Sequence, residues 1–203
     1  SCIPVSGIGS GFLVIDCPHP PIINVARIID FKSIFIRFLN GLYYLFVMEQ
    51  LSFVQDKEIE KYLGIKTELI RVIDVPLKEL RKEIMNKKGL VIVQGGDLDI
   101  NRFAVENKQV DILLSPEKNT RKDLMFSRRS GLNQVLCKLA AKNGVAIGFD
   151  FSYLLHSSDK QRARILGRMK QNVKFCKKYK VKMVFSSFAK NKYELRSEDF
   201  LKV

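Results

Sequence analysis

From residue 68 onward, short apolar runs alternate with segments whose apolar positions recur at the three-to-four-residue spacing of an amphipathic helix. Glu68–Asp74 (ELIRVID) reads as a strand, followed by a helix that Pro76 opens and that runs to about Met85. Leu90–Val93 (LVIV) reads as the next strand and ends in Gln94-Gly95-Gly96-Asp97. A helix near Asp99–Glu106, a strand at Asp111–Leu114 and a long polar loop, Ser115–Arg129, come next. The loop leads to a helix at Leu132–Lys142, with Ser130 as its candidate N-cap and Asn143-Gly144 as its stop. Val145–Phe151 reads as a strand, Asp159–Tyr179 as a long helix and Lys182–Ser186 as a further strand.

These strands are apolar without alternation, which is the pattern of strands covered on both faces. Repeated β-α units of this kind predict an α/β fold with a parallel sheet sheathed by helices, either a (β/α) barrel or an open doubly wound sheet. Before residue 68 the pattern is weaker. Phe12–Asp16 (FLVID) reads as a first strand, and the apolar run Ile34–Met48 is interrupted by Arg37, Asn40 and Gly41. That run is too short and broken to span a bilayer, so buried core is expected and no membrane partner. The length of 203 residues suits a single domain over 1–203.

Charge changes this picture. Residues 1–120 hold 15 Lys+Arg and 15 Asp+Glu, whereas residues 121–203 hold 20 Lys+Arg against 6 Asp+Glu, so the whole net charge of +14 falls in the last 83 residues. A merely soluble surface mixes both signs, so this segregation points to a polyanionic partner. The four cysteines, Cys2, Cys17, Cys137 and Cys176, show neither a C-x-x-C pair nor a disulfide framework. Reduced thiols in a cytosolic, cytoplasmic compartment are therefore expected, and the first residues lack the basic region of a secretory signal.

In an α/β fold, function gathers at the carboxyl ends of the strands. Gly95-Gly96-Asp97 sits there, with Asn101 and Arg102 close behind. Its amides can receive a phosphate oxygen, or the glycines can simply serve a tight turn. The Ser115–Arg129 loop carries Lys118, Arg121, Lys122, Arg128 and Arg129, which suit phosphate contacts or a solvated loop equally. On the long helix, Ile165, Leu166, Met169, Val173 and Cys176 form the core stripe. Lys160, Arg164, Lys174 and Lys178 lie opposite, flanked by Arg168 and Lys170, while Arg162 projects beside the core stripe and can point into a site.

Enzymatic motifs are sparse. The two histidines, His19 and His156, cannot build a His-rich metal cluster, and no nucleophile elbow or P-loop occurs. Asp16, Asp97 and Asp150 follow apolar strands and could converge to bind Mg²⁺. That leaves a metal-dependent phosphoesterase as the alternative to a polyanion-binding protein, with a structural adaptor as a third reading.

Three segments, Val93–Glu117 (VQGGDLDINRFAVENKQVDILLSPE), Arg129–Leu155 (RSGLNQVLCKLAAKNGVAIGFDFSYLL) and Gln161–Ala189 (QRARILGRMKQNVKFCKKYKVKMVFSSFA), resemble the archaeal ribonuclease P protein component 3 family. So does Tyr193–Phe200 (YELRSEDF), and together they cover about residues 65–203 in the family's order, whereas residues 1–65 match poorly. The resemblance implies a TIM-barrel-like fold, a metal-free variant related to the polymerase/histidinol-phosphatase-type barrels. It implies a non-catalytic subunit of ribonuclease P, whose RNA removes the 5′ leader from precursor tRNA by Mg²⁺-dependent hydrolysis. Implied partners are the ribonuclease P RNA, component 2, the other protein subunits and, indirectly, precursor tRNA. The protein itself would hold no cofactor. Arg102, Arg129, Arg162, Arg164, Arg168, Lys190 and Arg196 carry over as RNA-contact candidates, beside Arg121, Lys122, Arg128 and Lys160 from the charge pattern.

Overall fold

The computed structural model describes residues 34–39, 42–47, 49–87, 89–125 and 127–197. The strand expected at Phe12–Asp16, with Asp16, His19, Cys2 and Cys17, lies outside them. The first elements are an antiparallel hairpin, β1 (Ile34–Leu39) and β2 (Leu42–Val47), in the run read as buried core.

Everything after it is parallel. β3 (Glu49–Ser52) pairs with β4 (Lys66–Leu69) across α1 (Lys57–Leu63). β5 (Val72–Ile73), β6 (Ile92–Gln94), β7 (Ile112–Leu114), β8 (Ala146–Asp150) and β9 (Met183–Ser186) form a five-stranded sheet in sequence order. The helices between them are α2 (Leu77–Asn86), α3 (Leu98–Glu106), α4 (Gln134–Asn143), the short α5 (Phe151–Leu155) and α6 (Asp159–Tyr179).

The stretch ELIRVID, expected as one strand, is split because its two ends pair with different neighbours. β4 pairs with β3, β5 pairs with β6, and Ile70 N donates to Ser52 O at 3.0 Å where the switch occurs. At the far edge, Phe188 N donates to Leu51 O at 3.1 Å, and Phe53 N donates to Ala189 O at 3.0 Å. These bonds bring the end of β9 back to β3. An open doubly wound sheet would leave both edges apart, so the fold is barrel-like.

Burial follows the two-residue alternation of the strands. Leu51, Ile92, Ile112, Leu114, Ala146, Val184 and Phe188 form one apolar cluster inside the ring. The intervening residues Val91, Val93, Leu113, Ile147 and Met183 face outward. They meet Leu80 and Ile84 of α2, Ala104 and Val105 of α3, Cys137 and Ala140 of α4, and Ile165, Met169 and Cys176 of α6. Apolar surface is thus removed from water on both faces of each strand, at roughly 25 cal/mol per Å². Cys137 and Cys176 are buried free thiols, as their positions on apolar faces suggest.

Local signals decide the helix ends. Asp56, Asp97, Asn133 and Asp150 accept first-turn amides of α1, α3, α4 and α5, and Gly64 and Gly144 close α1 and α4 in the left-handed region. Asn133, not Ser130, caps α4, because Ser130 and Gly131 belong to a different construction.

Candidate nucleic-acid interface

The long polar loop between β7 and α4 is clasped from two sides. Ser115 takes φ +47° just beyond β7, held by its N–H on Gly148 O at 2.9 Å. From α3, Asn101 is fully buried, and its amide donates to Pro116 O at 3.3 Å and Gly131 O at 3.1 Å. Its carbonyl oxygen accepts Gly96 N at 3.0 Å. From α6, the buried Asn172 donates to Glu117 Oε2 at 3.2 Å and Ser130 O at 2.9 Å. The mouth of the loop is tied by Asn119 Nδ2 on Arg129 O at 2.8 Å, and by Arg129 N on Asp123 Oδ1 at 2.9 Å.

Arg168 completes the clasp. It was expected on the outer basic face, but it is 2% exposed. Its guanidinium donates to the carbonyls of Glu117 at 3.2 Å, Asn119 at 2.9 Å and Arg121 at 2.5 Å, and to Asp123 Oδ1 at 2.9 Å. A planar fork with five donors suits this task, whereas a lysine would supply a point charge. Burial alone would raise the Asp123 carboxyl, but the Arg168 and Arg129 bonds outweigh it and hold it below its ordinary value. Full burial pushes the Glu117 carboxyl up to about 8, against the Asn172 amide and the Arg168 charge that favour its ionised form.

Two glycines let the backbones meet. A Cβ on Gly131 (φ +81°) would sit 1.8 Å from Pro116 O, and one on Gly96 (φ +133°) would sit 2.0 Å from Lys118 O. The Gly95-Gly96 turn is therefore packed against the loop, and its amides are engaged by Leu114 O and Asn101 Oδ1. It is a tight turn, not a phosphate cradle.

The clasp leaves Arg121, Lys122, Arg128 and Arg129 exposed. Arg164 of α6 lies close enough to Asp123 to depress its carboxyl, and the Arg128 guanidinium lies over Gly167 of the same helix. The loop and the first half of α6 thus form one basic surface. Lys160 is exposed at the start of that helix. Arg162 points into no site: it donates to Leu154 O at 3.1 Å and Ser157 O at 3.0 Å, closing the end of α5. Arg102 is exposed and paired with Glu106 at 2.8 Å. Arg196 donates to the Tyr193 and Leu195 carbonyls at 2.7 and 2.8 Å, and Lys190 is exposed beyond β9.

At the carboxyl ends of β8 and β9, Glu194 gathers Ser152 Oγ at 2.9 Å, His156 Nε2 at 2.8 Å, Asn191 Nδ2 at 3.1 Å and Lys190 N at 2.9 Å. Burial would raise its carboxyl, but these bonds hold it down to about 2. The carboxylate separates Ser152 from His156, and a base that weak does not activate a hydroxyl. Burial pushes Asp150 up to about 6, offset in part by the Tyr153 and Ser152 amides and the charges of Lys118 and Lys190. Asp97 and Asp150 are helix caps. Among the described residues, no three His, Cys, Asp or Glu side chains converge to hold a metal ion.

The sequence pattern places Asn101 near the Gly95-Gly96 turn but marks none of Glu117, Asn172 and Glu194 as site residues. One signal was present: Arg168 and Asn172 sit at i+3 and i+7 from Ile165, on the core-facing side of α6.

Residues 56–200 match the family model for RNase P subunit p30. The chain belongs to the RNase P subunit p30 family. Ribonuclease P protein component 3 of Methanosarcina acetivorans is 41% identical over 147 residues, covering 72% of this chain and 56% of that protein. The same component of Methanocaldococcus jannaschii is 37% identical over 148 residues, covering 72% of this chain and 59% of that protein. A chain of archaeal ribonuclease P, solved by cryo-EM with mature tRNA, superposes with a TM-score of 0.53 at 30% identity, over 75% of this chain and 67% of that one. This p30-family chain therefore spans a little over half the length of the curated relatives it matches. No helix among the described residues is long and apolar enough to cross a membrane.

Proposed function

We propose that the chain is a non-catalytic, RNA-binding protein subunit of ribonuclease P, acting in removal of the 5′ leader from precursor tRNA. Family membership with relatives named as ribonuclease P protein component 3 carries this reading. The clasped basic loop beside α6 supports it physically. Phosphate contacts by Lys and Arg supply sequence-independent affinity, and structured RNA is recognised largely by shape and backbone.

In this reading the barrel-like ring is part of a TIM-type (β/α) barrel. The clasp holds Arg121, Lys122, Arg128 and Arg129 in a fixed array that neutralises backbone repulsion in the ribonuclease P RNA. The RNA supplies the Mg²⁺-dependent hydrolysis, and component 2 and the other protein subunits complete the particle. Strand-end carboxylates engaged in capping and hydrogen bonding leave the protein the task of scaffold, and buried thiols suit a reducing cytoplasm.

Omission from a reconstituted particle tests it. Precursor-tRNA cleavage is assayed at moderate Mg²⁺ with the RNA and remaining subunits, with and without this chain, and with the chain alone. Cleavage that requires both the RNA and this chain is expected. Cleavage by the protein alone would establish the phosphoesterase alternative instead, and indifference to the chain in both arms would overturn the subunit assignment.

A further inference from the structure

The tip of the clasped loop carries apolar side chains into solvent although the loop behind it is fixed. Met125 is 91% exposed and Leu124 58% exposed. The tip is closed by Leu124 N on Ser127 O at 2.8 Å and by Ser127 N on Leu124 O at 3.4 Å. Its base is held by Arg168 through the Asn119 and Arg121 carbonyls and Asp123. The base of the projection is thereby preorganised, so a partner meeting it there orders little new chain on binding.

Beside the tip opens a cleft of about 540 Å³, lined by Asp123, Leu124, Met125, Ser127, Arg128 and Gln171. Clefts of roughly 300–1,000 Å³ are the size that small organic ligands occupy. Its lining combines the apolar pair with the amide of Gln171 and the guanidinium of Arg128. Asp123 is engaged through Oδ1 by Arg168 and the Arg129 amide, which offsets its charge toward an anion. Arg128 lines the cleft and Arg164 lies near Asp123, and the same loop carries the exposed Arg121, Lys122 and Arg129.

The occupant follows from that combination. A fully paired RNA helix would use the cations but leave Leu124 and Met125 against phosphates. An apolar protein segment would cover the pair but leave a cationic rim uncompensated. An unpaired nucleotide supplies both needs, with an apolar ring face, hydrogen-bonding edges and a phosphate on each side. The geometry points to this cleft as a capture site for a single unpaired RNA base, with Leu124 and Met125 against the ring, Gln171 toward its edge and Arg128 and Arg129 on the flanking phosphates. This deepens the RNA-binding reading above and rests on it.

The test uses the full chain and two RNA hairpins with the same stem, one fully paired and one with a single bulged adenosine, titrated by fluorescence anisotropy at several salt concentrations. The bulged hairpin is expected to bind about tenfold more tightly, a difference that burying one ring face against two aliphatic side chains can supply. The double variant Leu124→Ser, Met125→Ser should erase that preference while keeping wild-type affinity and salt dependence for the paired hairpin. Met125→Leu should retain the preference, since it keeps an apolar tip. Equal affinity for the two hairpins, or a preference that survives the double variant, overturns the capture site while leaving the RNA-binding reading standing. A double variant that keeps the preference but no longer assembles with the other protein subunits would show a protein-docking tip and likewise overturn it. No affinity for either hairpin would defeat the RNA-binding reading itself.

Discussion

Arg168 and Lys170 lie two positions apart on one helix, yet their charges serve opposite ends. Arg168 is buried and binds three loop carbonyls and Asp123. Lys170, like Lys174, stands exposed on the other face of α6. Counted from the sequence, both belong to one basic stretch. In the fold, the first holds the 115–129 loop in shape and the second adds to the field around it. A net charge thus locates a polyanion-facing region, but burial decides which cations build the surface and which form it.

The comparison breaks most directly at Arg168. Replacing it with Ala leaves three carbonyls without their donor and Asp123 with the Arg129 amide alone, so a loss of about 3–5 kcal/mol in unfolding free energy is expected. Denaturant unfolding measures it, and Arg168→Lys should recover little of it, because one ammonium cannot reach the same acceptors. The same change on the outer face, Lys170→Ala with Lys174→Ala, should leave the unfolding midpoint unchanged. Equal effects at the two places would erase the distinction.

Gly131→Ala comes next. It tests the close approach alone, without touching any charge. A Cβ placed 1.8 Å from Pro116 O at φ +81° forces the loop and the entry to α4 apart. A loss of about 2 kcal/mol or more is expected, as for other strained backbone positions. A neutral result would mean that the clasp tolerates displacement.

Acidity sharpens the interior side of the comparison. Glu117 is pushed up to about 8 in the folded protein, whereas an unfolded chain ionises it near 4.5. Between these values the folded state binds the extra proton, so stability from this group is complete below about pH 4.5 and falls as pH rises toward 8. Glu194 acts with the opposite sign. Held down to about 2, its contribution is present above about pH 4.5 and is lost as pH falls toward 2. Glu117→Gln should remove this decline between about pH 4.5 and 8 in a series of unfolding free energies. Persistence of the same slope in that variant would refute the assignment.

The smallest effect concerns the outer face. Neutralising Lys170 and Lys174 should reduce the slope of log affinity for RNA against log salt by at most about 0.7–0.9 per charge, with no change in stability. Unchanged salt dependence would place RNA elsewhere on the molecule.

The repeating elements were legible because each carries its own signal. The span of α6, the strands LVIV and DILL, and the long polar loop stand where apolar spacing placed them. What was missed depends on contacts between elements distant in sequence. Ser130 has the composition of a cap, but its carbonyl is taken by Asn172, forty-two residues away. ELIRVID reads as one strand because local pattern cannot show that its ends pair with different neighbours. Arg168 was counted with its exposed neighbours because charge outweighed helical position. Its spacing from Ile165 and Asn172 carried the truer information.

The most direct test of the central claim is the Mg²⁺ dependence of precursor-tRNA cleavage by the reconstituted particle. It compares the wild-type chain with a variant in which Arg121, Lys122, Arg128 and Arg129 are all changed to Gln. These exposed side chains leave the clasp bonds made by Arg121 O, Arg129 N and Arg129 O in place, so the loop keeps its shape while its outer charge is removed. The account predicts that half-maximal activity moves to a higher Mg²⁺ concentration and that high Mg²⁺ restores the rate. An unchanged Mg²⁺ profile with the variant correctly assembled would contradict it.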